Sequence, residues 1–315
     1  MKIESLKLKN FRNYELLSLE FDKATNIFYG DNAQGKTNIL EAVYLSGTTK
    51  SHRGAKDKDL IRFEQNESHI ETVVEKNGIN YQIDMHLKKN SPKGIAINKM
   101  PIRKASELFG IVNIVFFSPE DLNIIKNGPG ERRRFVDLEL SQLDKVYLSN
   151  LANYNRIVNQ RNHLLKEAAY NSDVLKTLDI WDMQLVHYGN LIIQRRQEFV
   201  EQMNEIISGI HNKLTGGKES IRILYEPSNS YLTLEQALNK NKEKDLRIRS
   251  TSVGPHRDDI AFMIGDIDIR KYGSQGQQRT AALSLKLSEI ELVKQSIHDT
   301  PVLLLDDVLS ELDKH

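Results

Sequence analysis

Gly30-Asp31-Asn32-Ala33-Gln34-Gly35-Lys36-Thr37 decides the fold of this chain. It carries a glycine, four residues, then Gly-Lys-Thr, the pattern of a phosphate-binding loop. The glycines let backbone N–H groups curl around phosphate oxygens, and a helix starting at about Gly35 points its positive end at the anion. Lys36 is placed to bridge the β- and γ-phosphates of ATP, and the Thr37 hydroxyl to ligate Mg²⁺. The flanks fit. Leu17, Leu19 and Phe21 alternate with polar residues as in a half-buried strand. The apolar run Asn26 to Tyr29 leads into Gly30 as the strand before the loop. Ile39, Leu40, Val43 and Tyr44 share one face of the helix after it.

The far end of the sequence answers this loop. Val302 to Leu305 reads as a short buried strand running into Asp306-Asp307. A carboxylate there is suited to hold Mg²⁺ beside Thr37, with Asp307 orienting or deprotonating the attacking water. On their own, two aspartates after a strand read equally well as a helix cap. Lys36 and Asp306 lie 270 residues apart. A long insertion must therefore separate two halves of one nucleotide-binding sheet.

Residues 70 to 100 read as meandering strands, with turns at Asn77-Gly78 and at Ser91 to Gly94. Ile111 to Phe117 is a buried strand stopped by Ser118-Pro119-Glu120-Asp121. From Ser141 to Tyr170 and from Ser172 to Leu214 the pattern is helical. Val174, Leu178, Trp181, Leu185, Tyr188 and Ile192 recur at steps of four and three, a narrow apolar seam. Asn171-Ser172-Asp173 caps the second stretch, giving an antiparallel hairpin with arms of roughly 40–60 Å. Trp181 belongs to its core. Ile221, Ile223 and Tyr225 restore strand character, followed by a polar helix near 233–244, a hairpin around Gly265-Asp266 and a helix over 275–298.

A third motif opens that last helix: Tyr272-Gly273-Ser274-Gln275-Gly276-Gln277-Gln278-Arg279. The Ser274 hydroxyl, the Gly276 backbone, Gln277 and a helix N-terminus make a second anion site. One chain rarely needs two such sites for one ATP, so the simplest account is that this one completes the loop of another molecule. The catalytic candidates are then Lys36, Asp307 and Ser274. The sequence of serine loop, acidic strand and Ser310-Glu311-Leu312-Asp313 is the order found in ABC-type ATPases.

Composition bounds the rest. With a net charge of +1 there is no global basic field, so any nucleic-acid contact must be a local patch. No cysteine is present, which excludes a disulfide scaffold, a thiolate metal site and a cysteine nucleophile. Met1 to Lys9 has no signal-peptide core, and no run approaches the roughly 18 apolar residues of a membrane helix. The expectation is a cytoplasmic protein without membrane contact.

With its motifs in this order, the chain resembles the RecF family of SMC-related recombination mediators. The resemblance rests on Leu8-Lys9-Asn10-Phe11-Arg12-Asn13-Tyr14, on the phosphate loop with Asn38-Ile39-Leu40-Glu41-Ala42, and on Phe117 to Leu122. Gly128 to Phe135, Gly254-Pro255-His256-Arg257-Asp258-Asp259, Ser274 to Gln278 and Leu305 to Asp313 complete it. It implies an α/β ABC/SMC-type ATPase head, a mixed sheet with flanking helices, carrying an inserted helical lobe. Residues 1–125 and 251–315 are expected to form the ATPase lobe and 126–250 the helical one. The resemblance further implies ATP and Mg²⁺ as cofactors, weak DNA-stimulated hydrolysis, an ATP-dependent homodimer on gapped or single-stranded DNA, and RecA loading with RecR and RecO. It places Arg12 and Asn13 near the nucleotide and Ser274 on the partner's γ-phosphate. Family members continue past Asp313 with a helix and a strand, so the last segment is expected to be shortened.

Three basic clusters are candidates for DNA phosphates: Lys50, His52, Arg53, Lys56, Lys58 and Arg62; Lys88, Lys89 and Lys93; and Arg132 to Arg134. His256, Arg257 and Asp258 read as a structural rather than a catalytic group. A transporter ATPase subunit and a small-molecule P-loop kinase are the alternatives. The long gap and the second anion site argue against the kinase, and the N-terminal motif and the hairpin against the transporter.

Overall fold

The computed structural model describes residues 1–31, 34–229 and 232–307, apart from the Ser172 side chain. Asn32, Ala33 and the segment Ser310 to Asp313, all singled out above, lie outside the described residues. The chain divides into two compact units, one of Met1–Pro119 with Val293–His315 and one of Glu120–Leu292. Residues 251–292, expected with the C-terminal ATPase segment, thus belong with the middle of the chain.

The first unit opens with β1 (Lys2–Phe11) and β2 (Tyr14–Glu20), a hairpin whose two turn residues are Arg12 and Asn13. In β1 the buried positions Ile3, Leu6 and Leu8 break strict alternation by one residue. A bulge between Ile3 and Ser5 in the pairing with the third strand absorbs the extra residue. Helix α1 (Lys36–Thr48) follows, then β3 (Glu67–Lys76), β4 (Ile79–Lys88), β5 (Ser91–Ile97) and β6 (Met100–Pro101). These strands form one antiparallel sheet in the order β2-β1-β3-β4-β5-β6. The Asn77-Gly78 turn is where the sequence put it, with both residues at positive φ as a tight hairpin requires. The second turn is not. Ser91 already pairs with Lys88, so the turn falls at Lys89-Asn90. Pro92 is accommodated because the β4–β5 ladder shifts register between His86 and Lys88. Helix α1 packs on this sheet, where Ser46 Oγ and Thr72 Oγ1 share a buried hydrogen bond of 2.8 Å.

Strand β7 (Ile114–Phe117) is buried throughout and pairs in parallel with Val302–Leu305. The expected burial of that last strand holds only for Leu304. Leu303 and Leu305 are 43% and 56% exposed, and among the described residues the strand pairs only with β7. The apolar run Asn26 to Tyr29 differs more. It takes no strand assignment, and Ile27 and Tyr29 are 78% and 92% exposed. Apolar content permits a strand, but ladder hydrogen bonds make one, and this run has no paired neighbour among the described residues.

The second unit begins with α2 (Leu122–Lys126), α3 (Pro129–Leu143), α4 (Lys145–Glu167) and α5 (Leu178–Leu214). The first helical stretch is divided at Asp144, whose carboxylate accepts from Val146 N at 2.8 Å and Tyr147 N at 2.9 Å and caps α4. Asn171 likewise accepts from Asp173 N, capping a 3₁₀ turn that leads into α5. Helices α4 and α5 form the expected hairpin. Leu178, Leu185 and Ile192 of the seam are fully buried, and Trp181 packs partly buried against the same core. Arg161 ties α4 to its surroundings: it is fully buried and donates to Asp182 at 2.5 Å, Asp245 at 2.7 Å and Thr251 at 3.0 Å. Removing one partner of such a buried pair costs about 3–5 kcal/mol. The unit continues with β8 (Ile221–Glu226), α6 (Leu234–Ile248), β9 (Asp259–Ile264), β10 (Ile267–Asp268) and α7 (Ile269–Tyr272). Its three strands form the sheet β10-β9-β8. Helix α8 (Gln275–Ile297) precedes β11 (Val302–Leu305).

Candidate functional site

The phosphate loop is held by the β1–β2 turn. Gly35 caps α1 at φ 94°, and a Cβ there would lie 2.6 Å from the Asn13 carboxamide, so only glycine fits. Asn13 Nδ2 donates to Gln34 O at 3.2 Å, the Tyr14 hydroxyl donates to the same oxygen at 3.3 Å, and Asn38 Nδ2 donates to Asn13 Oδ1 at 2.8 Å. Lys36 folds back over the loop, its Nζ donating to Gly30 O at 2.6 Å and Asp31 O at 2.7 Å. The ammonium is thus held by two carbonyls, neutral acceptors that an anionic phosphate oxygen outcompetes.

Arg12 sits one residue away but turns elsewhere. It holds φ 53° and forms a two-bond fork on Glu41 of α1, Nε to Oε2 and Nη2 to Oε1, both 2.8 Å. Its Nη1 donates to Asp59 O at 3.0 Å. Glu41 is fully buried. Burial pushes its carboxyl up, but hydrogen bonds from Arg12 and Ser51 outweigh that and hold it below the usual carboxylate range. Of the two residues expected near the nucleotide, Asn13 touches the loop, while Arg12 braces the helix that the loop feeds.

The two distant ends of the motif set meet. Thr37 Oγ1 donates to Asp306 Oδ1 at 2.9 Å. Asp306 is fixed by its own N–H, which donates to Phe117 O at 2.9 Å and extends the β7–β11 pairing by one residue. Asp307 follows at φ 52°, outside the strand geometry. A hydroxyl and a carboxylate oxygen side by side, both hard oxygen donors next to the loop, suit Mg²⁺.

In the second unit, Ser274 is exposed at the start of α8. Its Oγ accepts from Gln277 N at 3.2 Å and its N–H donates to Gln277 Oε1 at 2.9 Å, a reciprocal helix cap. The Ser274 hydroxyl donates to no acceptor among the described residues. Gly276 is exposed in the same first turn. Gln278 differs from its neighbours: it is buried, and its Nε2 donates to Ile269 O at 2.8 Å.

The basic clusters separate. Arg132 is buried and forks onto Asp259 at 2.7 and 3.0 Å, and Arg133 donates to Asp258 O at 2.6 Å. Arg132 is thereby spent inside the second unit and leaves the set of DNA candidates. In the first unit, Lys50, Arg53, Lys56, Lys58, Lys88 and Lys89 are exposed. Lys93 donates to Asp57 at 2.8 Å and to Thr49 O, so it joins the two basic segments rather than adding a free charge. Arg62 pairs with Glu15 at 3.3 Å, and His52 stacks on Phe116 with ring centroids 4.2 Å apart.

His256 is structural. Its Nε2 faces Thr251 O at 3.1 Å and donates, so Nδ1 accepts from the Tyr154 hydroxyl at 2.7 Å. Burial holds its imidazole down to about 4. Asp258 accepts from the Tyr225 hydroxyl and, at 2.7 Å, from Ser228 N.

The sequence pattern assigns no role to Tyr14 and Asn38, which hold the loop through Gln34 O and Asn13, or to Glu41 and Ser51, which hold Arg12 against α1. The signal was present in Asn38 and Glu41, polar residues at positions three apart in the first turns of an otherwise apolar helix.

Comparison with known proteins follows the same lines. The model of the RecF/RecN/SMC N terminal domain matches residues 2–315. The DNA replication and repair protein RecF of Agathobacter rectalis is 66% identical over 313 residues, 99% of this chain and 86% of that protein. The protein of the same name from Lachnospira eligens is 63% identical over 317 residues, 100% of this chain and 87% of that protein. A solved structure of the recombination mediator protein RecF with ATP, in the RecFOR pathway, matches with a TM-score of 0.95 at 37% identity. That match covers 99% of this chain and 86% of the other.

Proposed function

The chain belongs to the RecF/RecN/SMC N-terminal domain family, and on that premise we propose that it is an ATP-binding protein of DNA replication and repair whose copies pair on DNA when ATP is bound. The observation that carries the reading is the Thr37–Asp306 hydrogen bond, which sets a hydroxyl and a carboxylate together beside the phosphate loop. Lys36 exchanges the carbonyls of Gly30 and Asp31 for phosphate oxygens, and the N–H groups at the start of α1 take the remainder. Thr37 and Asp306 would hold Mg²⁺, which when bound would supply charge neutralisation at the phosphates. Asp307 orients the water that attacks, and turnover is slow.

Ser274 of a second copy donates its hydroxyl to the γ-phosphate, with Gly276 and Gln277 beside it in the first turn of α8. ATP then acts as the bond between copies. DNA phosphates meet Lys50, Arg53, Lys56, Lys58, Lys88 and Lys89, contacts that carry no base code. Gapped duplex is the preferred DNA, and RecR, and through it RecO and RecA, are the protein partners in this reading. The family membership leaves the transporter and kinase alternatives without support.

Light scattering with and without Mg²⁺-ATP and gapped duplex tests the proposal. The mass is expected to double with ATP and the doubled species to bind DNA. A chain that stays single in every mixture, or pairs equally without nucleotide, contradicts it.

A further inference from the structure

The chain leaves α5 through Gly216 and Gly217, both left-handed at φ 61° and 79°. Gly217 N closes the helix end on Asn212 O at 2.9 Å. Two such residues in succession suit glycine, which has no Cβ to clash. Two residues later the turn delivers Glu219 to the first turn of α8, where its Oε1 accepts from Gln277 Nε2 at 2.8 Å. The Gln277 carboxamide is therefore held at both ends, by Glu219 through nitrogen and by the Ser274 N–H through oxygen.

On the far side of Glu219 stands His211, buried near the end of α5. Ser284 Oγ donates to Thr280 O at 2.7 Å, so its hydrogen is committed. His211 Nδ1 must then donate to Ser284 Oγ across their 2.9 Å contact. That leaves the lone pair on Nε2, which faces Glu219 Oε2 at 3.5 Å and makes no hydrogen bond among the described residues. Burial lowers the basicity of His211 further than Glu219 raises it, so the ring stays neutral. The neutral ring offers Glu219 no proton, and the carboxylate acts on Gln277.

We propose that Glu219 is a positioning residue for the serine loop: it fixes the Gln277 carboxamide, which fixes the Ser274 N–H and the cap that aims the Ser274 hydroxyl. An unheld glutamine at this position has several rotamers, and a bound phosphate would have to order it at an entropic cost. Glu219 removes that cost before the second copy arrives. The consequence for pairing rests on the reading of Ser274 given under Proposed function, whereas the positioning itself can be read on the single chain.

The test compares Glu219→Ala with Glu219→Gln in the full chain. The glutamine oxygen can still accept from Gln277, and its amide can donate to the Nε2 lone pair of His211, so this variant retains the relay. Hydrogen–deuterium exchange over Tyr272 to Thr280 is expected to speed up by about 10-fold in the alanine variant. It should stay near wild type in the glutamine variant, with exchange at Leu285 of α8 unchanged in both. ATP-driven pairing should weaken by about 10-fold in the alanine variant alone, while ATP affinity of the single chain holds. Unchanged exchange in the alanine variant, or equal loss in both variants, overturns the proposal. If exchange changes as expected but pairing does not, Glu219 positions the loop and the intersubunit role of Ser274 is what fails.

Discussion

The Thr37 hydroxyl donates to Asp306 Oδ1 at 2.9 Å, joining residues 269 apart in sequence. The contact forms because α1 and β11 both bear on β7, α1 by packing and β11 by parallel pairing. Asp306→Asn is therefore expected to remove most of the Mg²⁺ dependence of ATP binding. In calorimetric titrations, affinity with Mg²⁺ should fall by about tenfold or more, while affinity in chelator stays at the wild-type value. Equal losses in both conditions would point to a folding defect instead.

The Arg12–Glu41 fork predicts a stability effect with a definite pH sign. Arg12→Met removes the fork from a buried carboxylate and leaves Ser51 as its hydrogen-bond donor among the described residues, and urea unfolding should show a loss of about 3 kcal/mol. The Glu41 carboxyl is held below its ordinary value of 4.5 in the folded chain. Its contribution is therefore present above that value and is lost as the pH falls through the lower folded value. Glu41→Gln should remove this acid-side loss, and an unchanged acid limb would refute the assignment.

A second pair has the opposite sign. Glu139 and Glu289 are buried together against Lys286, whose Nζ donates to Glu289 Oε2 at 2.5 Å. Burial, followed by the charge of Glu289, raises Glu139. Burial also raises Glu289, against the pull of Lys286. A raised carboxyl stabilises below its unfolded value and loses that contribution as the pH climbs through the folded one. For Glu289 the window runs from 4.5 to about 7. Melting curves across it should show stability falling with rising pH, and Glu289→Gln should flatten the fall. His256, held neutral, runs the other way over the same range, so the informative quantity is the difference between variant and parent.

Several of these features were legible in the sequence, for reasons that can be stated. The glycines, Lys36 and Thr37 form a short local pattern whose chemistry needs no tertiary information. The α4–α5 seam is likewise periodic over many turns. Burial of Arg132 was not legible, because three consecutive arginines look alike until Asp259, far along the chain, claims one of them. The turn at Lys89-Asn90 was missed because Pro92 and Gly94 are strong turn signals, and the register shift that admits proline into β5 depends on its partner strand. The run before Gly30 failed as a strand for a related reason, since pairing is a property of two segments. Glu41 was visible as a marker, but its role depends on where the β1–β2 turn points Arg12.

The DNA reading predicts a salt response. Binding to gapped duplex should weaken linearly in log–log form, and replacing Lys56 and Lys58 together with alanine should reduce the slope by about 2. The loss should be similar for unrelated sequences. Arg132→Ala should instead destabilise the fold and leave the slope unchanged.

The central claim is that Lys36 of one copy and Ser274 of another serve one nucleotide. Lys36→Met and Ser274→Arg should each stay single by light scattering in saturating Mg²⁺-ATP. Mixed in equal amounts, they should pair, because the mixed dimer contains one complete site. A mixture as unpaired as its components, or either variant pairing alone, would contradict the shared site.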